Sequence, residues 1–67
     1  MSSSNATADF CATIKWETEG ALLLTDGINE FWIPKKAIIE QDPIGDGSDG
    51  NFEFVIPERL AIEKGII

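Results

Sequence analysis

NEFWIPKKAIIE, residues 29–40, is the stretch that decides the fold. Its aromatic and β-branched residues favour a strand from Glu30 to Ile33, because such side chains suit a pleated, half-buried surface. Side chains alternate across a strand, so Phe31 and Ile33 are predicted on one face and Trp32 on the other. The rest of the chain is interpreted as a scaffold that buries these three side chains.

Pro34 is predicted to end this strand, since it has no N–H to donate and is tolerated at strand ends and edges. Lys35 to Ala37 fits a single helical turn, after which Ile38 and Ile39 resume apolar packing. A strand, a proline, a tight turn and a returning strand also close a corner of SH3-like barrels. That likeness concerns architecture and implies no function.

Two more strands are predicted before this stretch. From Phe10 to Glu17 apolar and polar residues alternate, which is typical of a half-buried strand with one wet face. ALLLT, residues 21–25, is apolar throughout and favours a strand covered on both faces. The Asp-Gly pair that follows it predicts a hairpin turn. Residues 10–39 therefore predict a three-stranded meander. The side chains predicted to face the core from its first strand are Phe10, Ala12, Ile14 and Trp16.

The end of the chain predicts a loop, a strand and a short helix. QDPIGDGSDGN, residues 41–51, is rich in aspartate and glycine and predicts a mobile surface loop. NFEFVI, residues 51–56, resumes the strand pattern. Pro57 opens a helix that Gly65 closes, since proline favours the first helical position and glycine the position after the last. Ile66 is predicted to fold back on this helix in a Schellman ending.

The predicted fold class is α+β and mainly β: a small bent antiparallel sheet or partly open barrel of four to five strands, with one short C-terminal helix. Residues 1–9 are expected to be a flexible tail and residues 10–67 a single domain. A chain of 67 residues buries only about 60 % of its unfolded surface, so we expect marginal stability.

One cysteine fits a reducing compartment, and no apolar run approaches the roughly 18 residues of a membrane span. We therefore expect a cytoplasmic protein that does not contact membranes.

Catalytic and metal sites are not expected from the residue types present. The chain has no histidine and no tyrosine, and Cys11 lies on the polar side of its predicted strand without a base to activate it. The aspartates of residues 41–51 do not follow the spacing of an EF-hand. The sequence predicts a protein that is not an enzyme and has no cofactor.

The charge balance is the most informative total. Twelve acidic residues against five basic ones give a net charge of −7. Such a chain repels nucleic acid and anionic membranes and complements basic surfaces, although acidity also simply keeps small proteins soluble. Seven carboxylates are predicted in loops or on outward strand positions, where a partner would reach them: Asp26, Glu30, Glu40, Asp42, Asp46, Asp49 and Glu53.

Two other functions remain open at this point. Trp32 with Lys35 and Lys36 has the composition of a site that stacks bases and neutralises phosphates, as in a small nucleic-acid-binding accessory module. The apolar run from Ala21 to Leu24 would instead suit an assembly surface, so the chain is expected to be a monomer or a weak dimer.

Two short motifs resemble those of a loose group of small phage and prophage proteins, mostly of unassigned function. Their residues here are Trp32, Ile33, Pro34, Lys35 and Ile38 of a W-[IL]-P-K-x-x-I segment, and Ile56-Pro57-Glu58 with Glu63-Lys64-Gly65-Ile66 at the terminal helix. Lys36 stands where these motifs commonly have serine, so a contact made there does not carry over. The resemblance implies a phage setting.

Small acidic phage proteins include anti-CRISPR proteins, several of which are DNA mimics. Our first prediction is therefore a non-catalytic phage-type inhibitor that binds a basic nucleic-acid-binding surface of a host protein or ribonucleoprotein complex, with a CRISPR effector as the first choice. It would block DNA binding through its carboxylates and would not bind nucleic acid directly.

Overall fold

The computed structural model describes residues 6–67 as one open antiparallel sheet followed by a short helix. This confirms the predicted mainly β fold of four to five antiparallel strands with one C-terminal helix, and the number of strands is five. The strand order is β3-β2-β1-β5-β4, so β3 and β4 are the edges. The elements are β1 Thr7–Glu17, β2 Ala21–Thr25, β3 Glu30–Pro34, the 3-10 turn η1 Lys35–Ala37, β4 Glu40–Pro43, β5 Asn51–Pro57 and α1 Glu58–Glu63.

The long strand β1 is the centre of the sheet. Its first half, Thr7 to Thr13, pairs with β5, and its second half pairs with β2. The predicted meander of β1, β2 and β3 is confirmed. The predicted tail over residues 1–9 extended too far, because Thr7, Ala8 and Asp9 form ladder pairs with β5. Residues 1–5 of that tail lie outside the described part of the chain.

A β-bulge at Lys15 changes which face the end of β1 presents. Ile14 pairs with Leu24, but Trp16 pairs with Leu23, the neighbouring residue on β2. One inserted residue reverses the face of the side chains that follow it. Trp16 is consequently 64 % exposed. The prediction that Trp16 faces the core is wrong, because simple alternation does not reveal an inserted residue.

One hydrophobic core fills the inner face of the sheet. Phe31 and Ile33 belong to it, whereas Trp32 between them is 46 % exposed on the outer face. The predicted alternation in β3 is confirmed, but the expectation that the chain buries Trp32 is wrong. The buried side chains come from β1, β2, β3, β5 and α1: Ala8, Ala12, Leu22, Leu24, Phe31, Ile33, Phe54, Ile56 and Ala61.

The returning strand predicted after Lys35 to Ala37 is observed as the edge strand β4, but most of it lies in residues that the sequence assigns to a loop. Its residues Gln41, Asp42 and Pro43 pair with Phe54, Glu53 and Phe52, although the sequence assigns them to a loop. All four residues of β4 are exposed, so the strand is held by its backbone ladder and carries no apolar pattern. The connection between β4 and β5 is therefore shorter than predicted and comprises residues 44–50.

The helix α1 ends as predicted. The backbone N–H of Ile66 donates to the Ala61 carbonyl at 2.8 Å, and that of Gly65 donates to the Ile62 carbonyl at 3.1 Å. With Gly65 at φ +79°, these bonds form a Schellman motif. Ala61 is fully buried and α1 packs on β1 and β5, so the helix covers one part of the core. No helix in residues 6–67 has the length and apolar character that a membrane span needs.

Candidate binding face

The outer face of the sheet, which points away from the core, carries two different sets of side chains. The part formed by the first half of β1 with β5 and β4 presents carboxylates, and we call it the acidic half. The part formed by the second half of β1 with β2 and β3 presents indole rings, and we call it the tryptophan half. The acidic half consists of Asp9, Glu40, Asp42 and Glu53, and the tryptophan half of Trp16, Leu23 and Trp32.

The register of three strands brings the four carboxylates of the acidic half together. Asp42 lies directly opposite Glu53, while Asp9 and Glu40 pair with Val55 from its two sides. All four acidic residues are exposed. Adjacent strands lie about 4.8 Å apart and same-face neighbours on one strand about 7 Å apart. The four carboxylates therefore share a patch about two strand spacings wide.

The acidic half does not stabilise the sheet through its charges. Like charges directly opposite each other on neighbouring strands are destabilising, as for Asp42 and Glu53. The ion pairs formed within residues 6–67 do not involve these carboxylates: Lys15 binds Glu30 and Lys35 binds Glu17, each at 2.6 Å. Nor do the described residues contain a group of acidic, histidine or cysteine side chains arranged to hold a metal ion. The carboxylates are left available to an external cation.

Two of the predicted site residues have a local structural role. Asp26, in the β2–β3 turn, accepts the N–H groups of Ile28 and Asn29, both at 2.8 Å. The bonds from Asn29 and then Ile28 lower the pKa of Asp26 below its usual 3.8. Asp46 accepts the Ser48 N–H at 2.9 Å, and this backbone bond, with a further one from the Ser48 side chain, lowers its pKa too. Both carboxylates stabilise turns.

The predicted set of seven carboxylates is thus only partly brought together. Glu40, Asp42 and Glu53 lie in the acidic half, and Glu30 lies beside Trp32 on β3, where Lys15 binds it. The other three lie in connections: Asp26 in the β2–β3 turn, and Asp46 and Asp49 in the loop between β4 and β5.

Sequence reasoning missed Asp9, the fourth residue of the acidic half. It was assigned to the tail because residues 2–8 are serine, asparagine, threonine and alanine. The signal was nevertheless present, since Ala8, Asp9 and Phe10 continue the alternation of β1 by one more period. Ala8 is 93 % buried and Asp9 is exposed, as that alternation requires.

In the tryptophan half, three side chains form a row across three strands. Trp16 pairs with Leu23, and Leu23 pairs with Trp32. The two indoles are 64 % and 46 % exposed, and Leu23 between them is half-buried. This row is a continuous apolar strip on the surface of an acidic protein.

Lys35 and Lys36 were predicted with Trp32 as an alternative site for nucleic acid. Lys35 Nζ lies 2.6 Å from Glu17 Oε2, so its charge is already compensated within the chain. Lys36 is exposed on η1, a turn of three residues. A nucleic-acid strand at this site would meet one uncompensated lysine at most among these two.

A groove of about 420 Å³ is lined by both charged and apolar side chains. Its walls come from the β1–β2 hairpin, η1 and the start of β4: Glu17, Leu22, Lys35, Ile38, Ile39, Glu40 and Gln41.

Comparison of the chain with protein families, with curated proteins and with solved structures finds no match. The residues of the outer face are therefore the basis on which a function is proposed. The resemblance of the segment around Trp32 to phage proteins stays a prediction.

Proposed function

We propose that the protein is a non-catalytic inhibitor whose acidic half binds the basic nucleic-acid-binding surface of another protein or ribonucleoprotein complex. By covering that surface with carboxylates, it keeps nucleic acid away. The setting proposed is a phage protein acting in the cytoplasm of its host. A CRISPR effector is the partner to test first, because it holds DNA in a positively charged channel.

One observation carries this proposal: Asp42 and Glu53 oppose each other in the ladder, next to Asp9 and Glu40, with no ion pair to them among the described residues. A row of like charges on a rigid sheet weakens the fold slightly. A basic partner would relieve this repulsion on binding. The net charge of −7 adds long-range attraction that accelerates the encounter.

The alternative function, direct binding of nucleic acid through Trp32, Lys35 and Lys36, has less support. Phosphates approaching these residues meet a protein of charge −7, and the pairing of Lys35 with Glu17 reduces the local positive charge. Nucleic-acid affinity depends strongly on the number of phosphates that cations neutralise.

The proposal is tested by adding the protein to guide-loaded CRISPR effectors of several types and measuring their binding to labelled target DNA. We expect the wild-type protein to displace DNA from at least one effector, and more weakly as salt is raised. The acidic-half variant E40Q/D42N/E53Q should lose most of this inhibition, because it removes three adjacent charges.

The matched control is the variant E19Q/E58Q/E63Q, which neutralises three carboxylates of the β1–β2 loop and α1. Both triple variants change the net charge from −7 to −7 + 3 = −4. The control should inhibit nearly as well as the wild-type protein. Equal loss of inhibition in both variants would mean that the net charge inhibits, rather than the acidic half. If the wild-type protein displaces DNA from none of the effectors, a CRISPR effector is excluded as the partner.

A further inference from the structure

We infer that the tryptophan half is a docking surface for arginine side chains of the same basic partner. The inference rests on the proposed function and specifies its partner: a protein segment rich in arginine rather than lysine. Guanidinium groups would stack on the indoles of Trp16 and Trp32 while further basic side chains reach the acidic half.

The two indoles are exposed on the same face as the carboxylates. Trp16 and Trp32 lie on β1 and β3 with Leu23 between them, so their positions are about two strand spacings, or about 10 Å, apart. Their exposures of 64 % and 46 % leave ring surface open to solvent. An extended segment crossing these strands would reach both rings.

The lysines nearest to the two tryptophans in the sequence form ion pairs with carboxylates. Lys15 precedes Trp16 and binds Glu30 at 2.6 Å, and Lys35 follows Trp32 by three residues and binds Glu17 at 2.6 Å. These ammonium groups are thus held by carboxylate oxygens. The ring faces remain for a cation from outside.

The neighbouring groups favour arginine over lysine. Guanidinium is planar and weakly hydrated, so it stacks on an aromatic ring and binds a carboxylate at the same time. Glu30 lies two residues before Trp32 on the same face of β3, about 7 Å along the strand. A partner arginine on Trp32 would lie within reach of the Glu30 carboxylate, which it would share with Lys15.

The charge of the protein favours an arginine-rich segment over the two other possible occupants, a second copy of the chain and a nucleic-acid strand. A second copy of the chain would bring another charge of −7 against the first, which opposes association through this face. A nucleic-acid strand stacking on the indoles would carry its phosphates toward Asp9, Glu40, Asp42 and Glu53. A cationic segment is attracted by both halves of the face.

The test uses the full chain and two peptides of equal length and charge, in which glycine alternates with arginine or with lysine. Dissociation constants are measured at low salt by the change in tryptophan fluorescence and by calorimetry. We expect the arginine peptide to bind more tightly, by up to about 2- to 5-fold for each indole used; the upper bound is the size of a whole exposed cation–π contact, which lysine makes in part. The variants W16L and W32L should each lower this preference, and W32F should keep part of it. The control I62A alters an exposed apolar residue of α1 and should leave it unchanged.

Each outcome is informative. Equal affinity of the wild-type protein for both peptides overturns the arginine inference but leaves the proposed function intact. If neither peptide binds, both the arginine inference and the proposed function are overturned. An arginine preference that survives in W16L and W32L assigns it to the carboxylates alone and also overturns the inference. An oligothymidylate that binds more tightly than either peptide would favour nucleic acid, and dimerisation abolished by W32L would favour a second copy, each in place of the basic segment.

Discussion

The acidic half and the tryptophan half share strand β1 and one core, yet their outer faces differ completely. Beneath the acidic half, Phe54 and Ile56 are fully buried, and beneath the tryptophan half, Leu24 and Ile33 are fully buried. Burial requires apolar side chains in both places. No such requirement fixes the outer face, and we propose that the carboxylates on one half and the indoles on the other serve binding rather than folding.

The largest effect is expected when the shared core is damaged. Phe54→Ala removes a fully buried ring that contacts Phe10 and Phe52, so it should lower the free energy of unfolding by about 3–5 kcal/mol. A domain this small buries little surface, so its total free energy of unfolding is low and this loss is a large part of it. Urea denaturation followed by circular dichroism measures the loss, with Phe54→Leu as a milder variant.

Trp32→Ala is the control for that measurement, since its ring is 46 % exposed on the outer face. It should lose clearly less stability than Phe54→Ala. If both substitutions destabilise the protein equally, the tryptophan half serves the fold, and the distinction between inner and outer faces fails.

A smaller loss of stability is expected from glycine substitutions in the hairpin connections, and it should differ between the two halves. Gly47, between β4 and β5, and Gly27, between β2 and β3, both have positive φ, so alanine should cost about 1–2 kcal/mol at either position. At Gly47 the new Cβ would also lie 3.0 Å from Cβ of Pro43, whereas at Gly27 nothing lies within 4 Å. Thermal unfolding should therefore show the larger loss for Gly47→Ala. Equal losses would mean that Pro43 moves freely and that β4 is loosely held.

Acid should weaken both turns through Asp26 and Asp46. Because hydrogen bonds lower the pKa of each below 3.8 in the folded protein, their stabilising contribution is present above about pH 4 and is lost as the pH falls through the lowered values. The unfolding free energy measured from pH 6 downward should decline below about pH 4. In the variant D26N, which keeps the acceptor oxygen but does not titrate, the decline should be shallower. An unchanged decline would exclude Asp26 as a contributor.

Local signals in the sequence predicted much of the fold. The alternation of β1, the apolar run of β2 and the pattern around Phe31 predicted three paired strands, and Gly65 with Ile66 predicted the helix ending. These features depend on nearest neighbours along the chain. The bulge at Lys15 and the extension of β4 into polar residues depend on pairing with other strands, so no local pattern revealed them.

The candidate site shows the same division. Glu40, Asp42 and Glu53 were predicted to be exposed, but only the β4–β5 register shows that Asp42 and Glu53 are opposite each other. Asp9 was missed because the tail assignment made the first strand begin at Phe10, three residues too late. Trp16 was assigned to the core because the bulge was not detected, and with it the row from Trp16 to Trp32 was missed.

The most direct test of the account is the unfolding free energy of the variant D42N/E53Q, compared with the wild-type protein at low and high salt. If the acidic half is retained for binding, the variant should be more stable by about 0.2–1 kcal/mol at low salt, and the difference should shrink at high salt. Glu30→Gln, which breaks the ion pair with Lys15, should have the opposite sign. A D42N/E53Q variant that is less stable than the wild-type protein would show that these carboxylates support the fold, and would contradict the account.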